Sequence, residues 1–180
     1  MSQNLVNAFI KFGAGGCKED TASGSIGGSG GTGWGVSGTA FPLGLGMSIL
    51  AGHVLVGKTL NSVSMFLQLS GESGTSDMNA YHWAGSDHTY GNQRAISDTR
   101  SSSAIDSSSH VEYKWTFASP AVVQAGDYIS VDIPDNLGSG TNYTTQGSAF
   151  ETNTKAQEFR GGWTQKTFGL RFTAEYDCPT

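Results

Sequence analysis

Charge is what this chain has least of. Lysine, arginine, aspartate and glutamate make up 14% of its 180 residues, against about 25% in an average soluble protein. The formal net charge is -5. A chain so poor in basic groups cannot neutralise many phosphates, which argues against nucleic acid or an anionic membrane as its main partner. Long apolar runs are missing as well. No stretch approaches the roughly 18 residues that a membrane-spanning helix needs. The opening Met-Ser-Gln-Asn-Leu-Val-Asn-Ala-Phe-Ile-Lys-Phe has no basic segment ahead of a long apolar block, so it is not a secretory signal. The expectation is a protein that acts without secretion, such as a virion protein released by lysis, or an extracellular one whose leader lies outside this chain.

Cysteine is equally scarce. Cys17 and Cys178 sit near opposite ends, with no CxxC and no Cys/His spacing of a zinc site. First and last strands can be neighbours in a sandwich, so a staple between the termini and two free thiols both stay open.

What the chain has is glycine, 26 residues of it, with serine and threonine filling much of the remainder. Such a composition on its own suggests disorder, but four tryptophans, nine phenylalanines and six tyrosines supply a large core. The length suits one domain and is short for two.

The core is written as alternation. Val63, Met65, Leu67 and Leu69 interleave with polar residues, and Val111, Tyr113, Trp115 and Phe117 do so more cleanly. Side chains on a strand alternate between faces, so each segment has one face to bury and one to wet. A third strand is predicted at Tyr128–Ile133, behind a turn at Ala125-Gly126-Asp127. A last one carries Phe168, Leu170, Phe172, Ala174 and Tyr176. Met78–Trp83 and Arg94–Asp98 add two more, and one helical turn is predicted at Thr154–Phe159. Ser86–Ser109 and Pro134–Gly162 are expected as long excursions, which in compact domains tend to be functional. The fold class is all-β, an antiparallel sandwich. Residues 1–40 form an N-terminal strand and a Gly/Ser-rich arm, and residues 41–180 form the sandwich. The arm holds Gly27, Gly28, Gly30, Gly31 and Trp34, and its glycine content rules out a helix.

Three catalytic patterns occur and fail on context. Gly52-His-Val-Leu-Val-Gly57-Lys58-Thr59 matches the phosphate loop. That chemistry needs a flexible loop running into a helix, yet His53, Val54, Leu55 and Val56 favour extended chain and a strand pattern follows Thr59. Gly33–Gly38 matches the dinucleotide fingerprint without its strand and helix. Gly27-Gly28-Ser29-Gly30-Gly31 matches the serine-hydrolase elbow without its sharp turn. Of the histidines His53, His82, His88 and His110, only His82 and His88 are close in sequence; surface positions are expected for all four and no metal site is assigned. Asp98, Asp106 and Asp127 are the carboxylates that could ligate calcium, with turn formation the favoured role. No paired carboxylates stand out and no cofactor is expected. Asn142-Tyr143-Thr144 is a glycosylation sequon, meaningful only on a secretory route.

Gly57-Lys-Thr-Leu-Asn-Ser-Val-Ser-Met-Phe-Leu-Gln-Leu-Ser-Gly71 resembles the early strand of a jelly-roll, carbohydrate-binding-module-like sandwich family. Tyr113–Phe117, Val122–Val131 and Lys166–Phe172 follow in that family's order. The resemblance spans about residues 41–176 and leaves the arm outside. It implies a jelly-roll sandwich of the kind found in extracellular binding modules and virion surface proteins, and it transfers no binding residue.

Three functions follow as expectations. One is a non-enzymatic structural subunit of a large assembly, a viral capsid or virion-surface decoration protein, whose arm orders itself on a neighbouring subunit. Its partners are copies of itself and other virion proteins. The alternative is a glycan-binding or host-attachment module, with Tyr81, Trp83 and Tyr90 as an aromatic platform. For Trp83 the core is an equally good address. The third is a glycan hydrolase or lyase, disfavoured by the poverty of paired titratable groups.

Overall fold

The computed structural model describes residues 17–20, 32–35, 43–69, 77–85, 91–133, 142–145, 147–148, 154–160, 163–165, 169–170 and 172–177. Fourteen strands account for most of them. The first six are β1 (Cys17–Asp20), β2 (Thr32–Gly35), β3 (Leu43–Ile49), β4 (Thr59–Leu69), β5 (Asp77–Trp83) and β6 (Gln93–Ser101). The next four are β7 (Val111–Val122), β8 (Tyr128–Ile133), β9 (Asn142–Thr145) and β10 (Gly147–Ser148). The last are β11 (Thr154–Arg160), β12 (Trp163–Gln165), β13 (Gly169–Leu170) and β14 (Phe172–Tyr176). A three-residue 3-10 turn at Ser102–Ala104 is the one helical element among the described residues.

Every pairing is antiparallel, and ten strands run in the order β1-β14-β4-β7-β6-β5-β8-β3-β11-β12, with β9 on β4 and β2 on β9. The path folds over between β7 and β6, which share only the pair Ser97↔Phe117. Side chains complete that seam. Asp98 Oδ1 accepts from the Thr116 amide at 2.7 Å, and Arg100 Nη2 donates to the Lys114 carbonyl at 2.9 Å. A bulge prepares the bend. Between the pairs Asn79↔Thr99 and Tyr81↔Ile96, Ser97 and Asp98 oppose Ala80 alone. Ser97 Oγ then accepts the Ala80 amide at 2.8 Å in place of a ladder bond.

The two layers enclose one core. Val63, Met65, Leu67, Tyr113, Trp115, Phe117, Phe172 and Ala174 face it from one side, and Met47, Ile49, Met78, Ala80, Ile129 and Val131 from the other. Trp115 spans the gap, its Nε1 donating to the Met78 carbonyl at 3.4 Å. The alternation holds from Tyr113 to Phe117, where Tyr113, Trp115 and Phe117 are buried while Lys114 and Thr116 are exposed; Val111, expected on the buried face, is exposed at the start of the strand. Each such aliphatic or ring contributes about 1.5–3 kcal/mol by leaving water.

Two expectations need correction. Thr154–Phe159 is not a helical turn but lies in β11, which pairs with β3 over seven positions, from Thr154↔Ile49 to Arg160↔Leu43. A polar strand carries no apolar alternation, so its partner, not its own sequence, supplies the signal. For the same reason the Pro134–Gly162 excursion includes the short strands β9, β10 and β11. Within residues 1–40, β1 pairs with β14 and β2 with β9. The segment after the phosphate-loop pattern is the strand β4, beginning at Thr59 itself.

Candidate functional site

The densest cluster of functional groups sits where β5 ends and the β7–β8 turn begins. Gln124-Ala125-Gly126-Asp127 closes with the Asp127 amide on the Gln124 carbonyl at 3.1 Å. Gly126 has φ +91°, the left-handed value that the third position of such a turn requires and that glycine adopts without strain. The turn aims the Asp127 side chain inward, where it is 2% exposed. Its Oδ2 accepts from His82 Nε2 at 2.8 Å, Arg94 Nε at 3.0 Å and the Gln124 amide at 2.8 Å. Its Oδ1 accepts the Gly85 amide at 3.2 Å. Arg94 Nη2 also donates to Gln124 Oε1 at 2.9 Å.

The electrostatics follow from the geometry. Burial alone would raise the Asp127 carboxyl, but hydrogen bonds from Gln124, His82, Arg94 and Gly85 outweigh it and hold the group below its ordinary value. His82 is pushed below its ordinary value chiefly by burial, against the pull of Asp127. The pair is therefore an ionised carboxylate and a neutral imidazole whose Nε2 carries the proton. A histidine beside a carboxylate suggests acid–base chemistry, but this imidazole is fully buried. General catalysis needs hydrogen-bond reach to a substrate proton. What this arrangement does is fasten β5, β6 and the β7–β8 turn to one another.

The opposite face of β5 carries the aromatic pair. Tyr81 and Trp83 stack at 4.8 Å between centroids and 21° between planes. Trp83 Nε1 donates to Ser130 Oγ at 2.9 Å, and Ser130 Oγ donates to the buried Asp132 carboxylate. Tyr81 is 6% exposed and Trp83 0%. The rings assigned to a sugar platform are thus inside, and β5 is buried on both faces from Ala80 to Trp83. Tyr90, the third platform residue, lies outside the described residues.

The other candidates distribute as follows. His53 and His82 are buried, which corrects their expected surface position; His53 Nδ1 accepts the Leu55 amide at 3.2 Å, inside the 50–58 turn. His110 is partly buried and its pKa is lowered by that burial. His88 lies outside the described residues. Asp106 Oδ1 accepts the amides of Ser108 and Ser109 at 2.7 and 2.8 Å, the turn-forming role expected of it. Asp98 serves the seam and Asp127 the turn. Among the described residues no three potential metal ligands converge. Of the arm, Trp34 stands in β2 opposite Tyr143, while Gly27, Gly28, Gly30 and Gly31 lie outside the described residues. Cys17 opens β1, and Cys178 lies outside the described residues.

The link from His82 to Asp127 was not foreseen. Its partial signal is the Ala-Gly-Asp turn, which places a carboxylate at a strand start but does not say which strand supplies its donor.

A family model described as bacterial Ig domain matches residues 104–174. That is a little under two fifths of the chain. No curated protein and no solved structure matches. The similarity is to a β-sandwich type of surface proteins, generally non-catalytic, rather than to the jelly-roll, carbohydrate-binding-module-like family that the strand pattern resembles. The matched stretch is not a closed unit here. Its strands β7, β8, β11 and β14 pair with β4, β5 and β3, all outside it.

Proposed function

We propose that this chain is a non-enzymatic structural module of a large surface assembly, a capsid or decorating subunit on a virion, that associates with copies of itself and with neighbouring assembly proteins. One observation carries the reading. The deeply buried His82–Asp127 pair is spent on joining strands, while the sheet path ends at β1 and β12, each with a single partner strand among the described residues. Strand edges are natural pairing sites for another chain. The outward row of β7, from Glu112 through Lys114 and Thr116 to Ala118 and Ser119, is exposed and of mixed polarity, suited to a wet contact between subunits. A jelly-roll winding and a virion location belong to the same proposal.

A second reading is an adhesion or glycan-binding module at a cell surface. The match to a bacterial Ig domain favours it. In that case Tyr81, Trp83 and Tyr90 remain its candidate residues.

Sedimentation velocity of the full chain over a wide concentration range, paired with a glycan array, separates them. Assembly predicts a discrete homo-oligomer and a blank array. A chain that stays monomeric and binds a defined glycan overturns the first reading in favour of the second.

A further inference from the structure

We propose that the end of the sandwich formed by the 50–57 turn and the last part of β7 is a self-association surface, on which one copy of this chain docks two-fold against a second. This contact rests on the reading that copies of the chain associate, and it names the face they share. Residues 52–57, which match the phosphate loop, form a tight turn, with the Val56 amide on the His53 carbonyl at 3.0 Å and the Lys58 amide on the Leu55 carbonyl at 2.9 Å. The turn is tied to the end of β7. The Gly57 amide donates to the Val123 carbonyl at 2.8 Å, and the Val123 amide to the Lys58 carbonyl at 2.9 Å. Leu55 and Val123 enter the core, and Val56 and Ala121 pack against it. Val54 and Val122 do the opposite, at 43% and 48% exposed, although turns ordinarily present polar residues. A bulge enlarges the same surface. Between the pairs Leu60↔Ala121 and Ser62↔Thr116, Phe117 to Pro120 are opposed by Asn61 alone, and Ala118, Ser119 and Pro120 are exposed.

Exposed aliphatics scattered singly are ordinary. Val54, Ile96, Val111 and Val122 are the large hydrophobics left exposed among the described residues, and Val54 and Val122 stand on segments bonded to each other. No aspartate, glutamate, lysine or arginine occurs in residues 49–57 or 117–126. Charge enters at the rim, with Lys58 at the end of the turn and Arg94 bonded to Gln124. An apolar centre inside a polar rim is the usual anatomy of a protein–protein contact.

The charge balance selects the partner. Each copy carries a net charge of -5, so two copies repel where their charged faces meet. An end without charge is where that penalty is least, and a partner recognised through its own charge finds no counter-charge at its centre. A two-fold contact sets one patch against itself, so the patch must hold both knobs and flats. Val54, Pro120 and Val122 are exposed knobs. Gly57 and Gly126 are the flats, since a Cβ on either would meet no described atom within 4 Å. Pro120 has no amide to donate, which opposes strand addition along this stretch. The contact is therefore made by side chains, unlike pairing at the β1 and β12 edges.

The test is sedimentation velocity of the full chain over a wide concentration range, for wild type, Val54→Asp, Val122→Asp and Val111→Asp, with a thermal melt of each to confirm folding. Val111 is exposed at the other end of β7, so its variant adds the same charge away from the patch. The expected result is a concentration-dependent dimer step in wild type, weakened about tenfold or more in Val54→Asp and Val122→Asp and unchanged in Val111→Asp. Val122→Thr, which keeps the branched shape, weakens the step by a smaller factor and carries the test where an aspartate unfolds the chain. Association of wild-type strength in the Val54 and Val122 variants overturns this inference and leaves the assembly reading standing, because strand edges can still pair. Equal weakening in all three aspartate variants also overturns it, as an effect of charge wherever it is placed. A wild-type chain that stays monomeric at every concentration overturns both.

Discussion

His82 Nε2 lies 2.8 Å from Asp127 Oδ2, with both side chains shut away from solvent. Forty-four residues lie between them in sequence, and the contact joins the end of β5 to the turn that starts β8. Among the described residues the imidazole is only half satisfied: its Nδ1 is buried and has no partner there. That lone pair is costly, and the carboxylate offsets it by gathering donors from β6, from the chain after β5 and from its own turn.

Removing the carboxylate exposes how much depends on it. Asp127→Ala leaves His82 Nε2, the Gln124 amide and the Gly85 amide without their acceptor in a closed site. A loss of about 3 kcal/mol is expected, typical of breaking a buried charged network. Asp127→Asn keeps the shape but turns two acceptor oxygens into one, and falls between. Urea unfolding checks this; an Asp127→Ala midpoint equal to wild type would show that the cluster is ornamental to stability.

Acid should loosen the fold in two stages. The His82 pKa is lowered from 6.5 by burial, so its contribution is present above the unfolded value. It is lost as pH falls below that value, because the unfolded chain takes up a proton that the folded one resists. His110, lowered by the same cause, acts with the same sign. Asp127 is held below 3.8 by its hydrogen bonds, and its share is lost only at still lower pH, where protonation removes the acceptor. The urea midpoint therefore falls from pH 7 to about pH 5 and again below about pH 4. In His82→Gln the first fall is shallower. A wild-type midpoint flat across the upper window contradicts the buried neutral imidazole.

Gly46 and Gly57 should respond to alanine for different reasons. In β3, a Cβ on Gly46 would stand 2.1 Å from the Ile129 carbonyl oxygen and 2.6 Å from Ser130 Cα. Backbone on the paired strand cannot step aside, so Gly46→Ala costs about 3 kcal/mol or more. Gly57 has open space around it but φ +83°, and Gly57→Ala costs only about 1 kcal/mol, the strain of a left-handed alanine. Thermal melts of the two variants give the order; a Gly46→Ala protein as stable as Gly57→Ala would mean that β3 and β8 lie further apart than described.

Local alternation made β4, β5, β7, β8 and β14 legible, because each of these stretches has an apolar face that shows in its own residues. It failed for β11, whose Thr154-Lys-Ala-Gln-Glu-Phe-Arg160 sequence is extended only because β3 lies alongside it. It did not show that Tyr81 and Trp83 are both buried. A strand buried on both faces has no wet side for alternation to report, so two aromatics bounded by polar chain resembled a surface platform. The role of Asp127 in a turn was readable from Ala-Gly-Asp, but its donors arrive from His82 and Arg94, 45 and 33 positions upstream. Only the folded sheet makes them neighbours.

Arg100 offers the sharpest test of the seam. Beyond the bulge it sits opposite Met78 and lies over the rings of Tyr113 and Trp115, at 5.2 and 5.6 Å from their centroids. Its Nη2 reaches the Lys114 carbonyl, but its Nε is buried without a partner among the described residues. The residue thus gains stacking and one hydrogen bond while leaving a polar atom dry. Two substitutions separate these effects. Arg100→Met keeps the apolar stem over the rings and removes the unsatisfied donor, so its stability should lie within about 0.5 kcal/mol of wild type or above it. Arg100→Ala removes the stem as well, uncovers both rings and should cost about 1–2 kcal/mol. Equal losses in the two variants would mean that the bond to Lys114, and not packing on the rings, is what holds this edge of the sandwich closed.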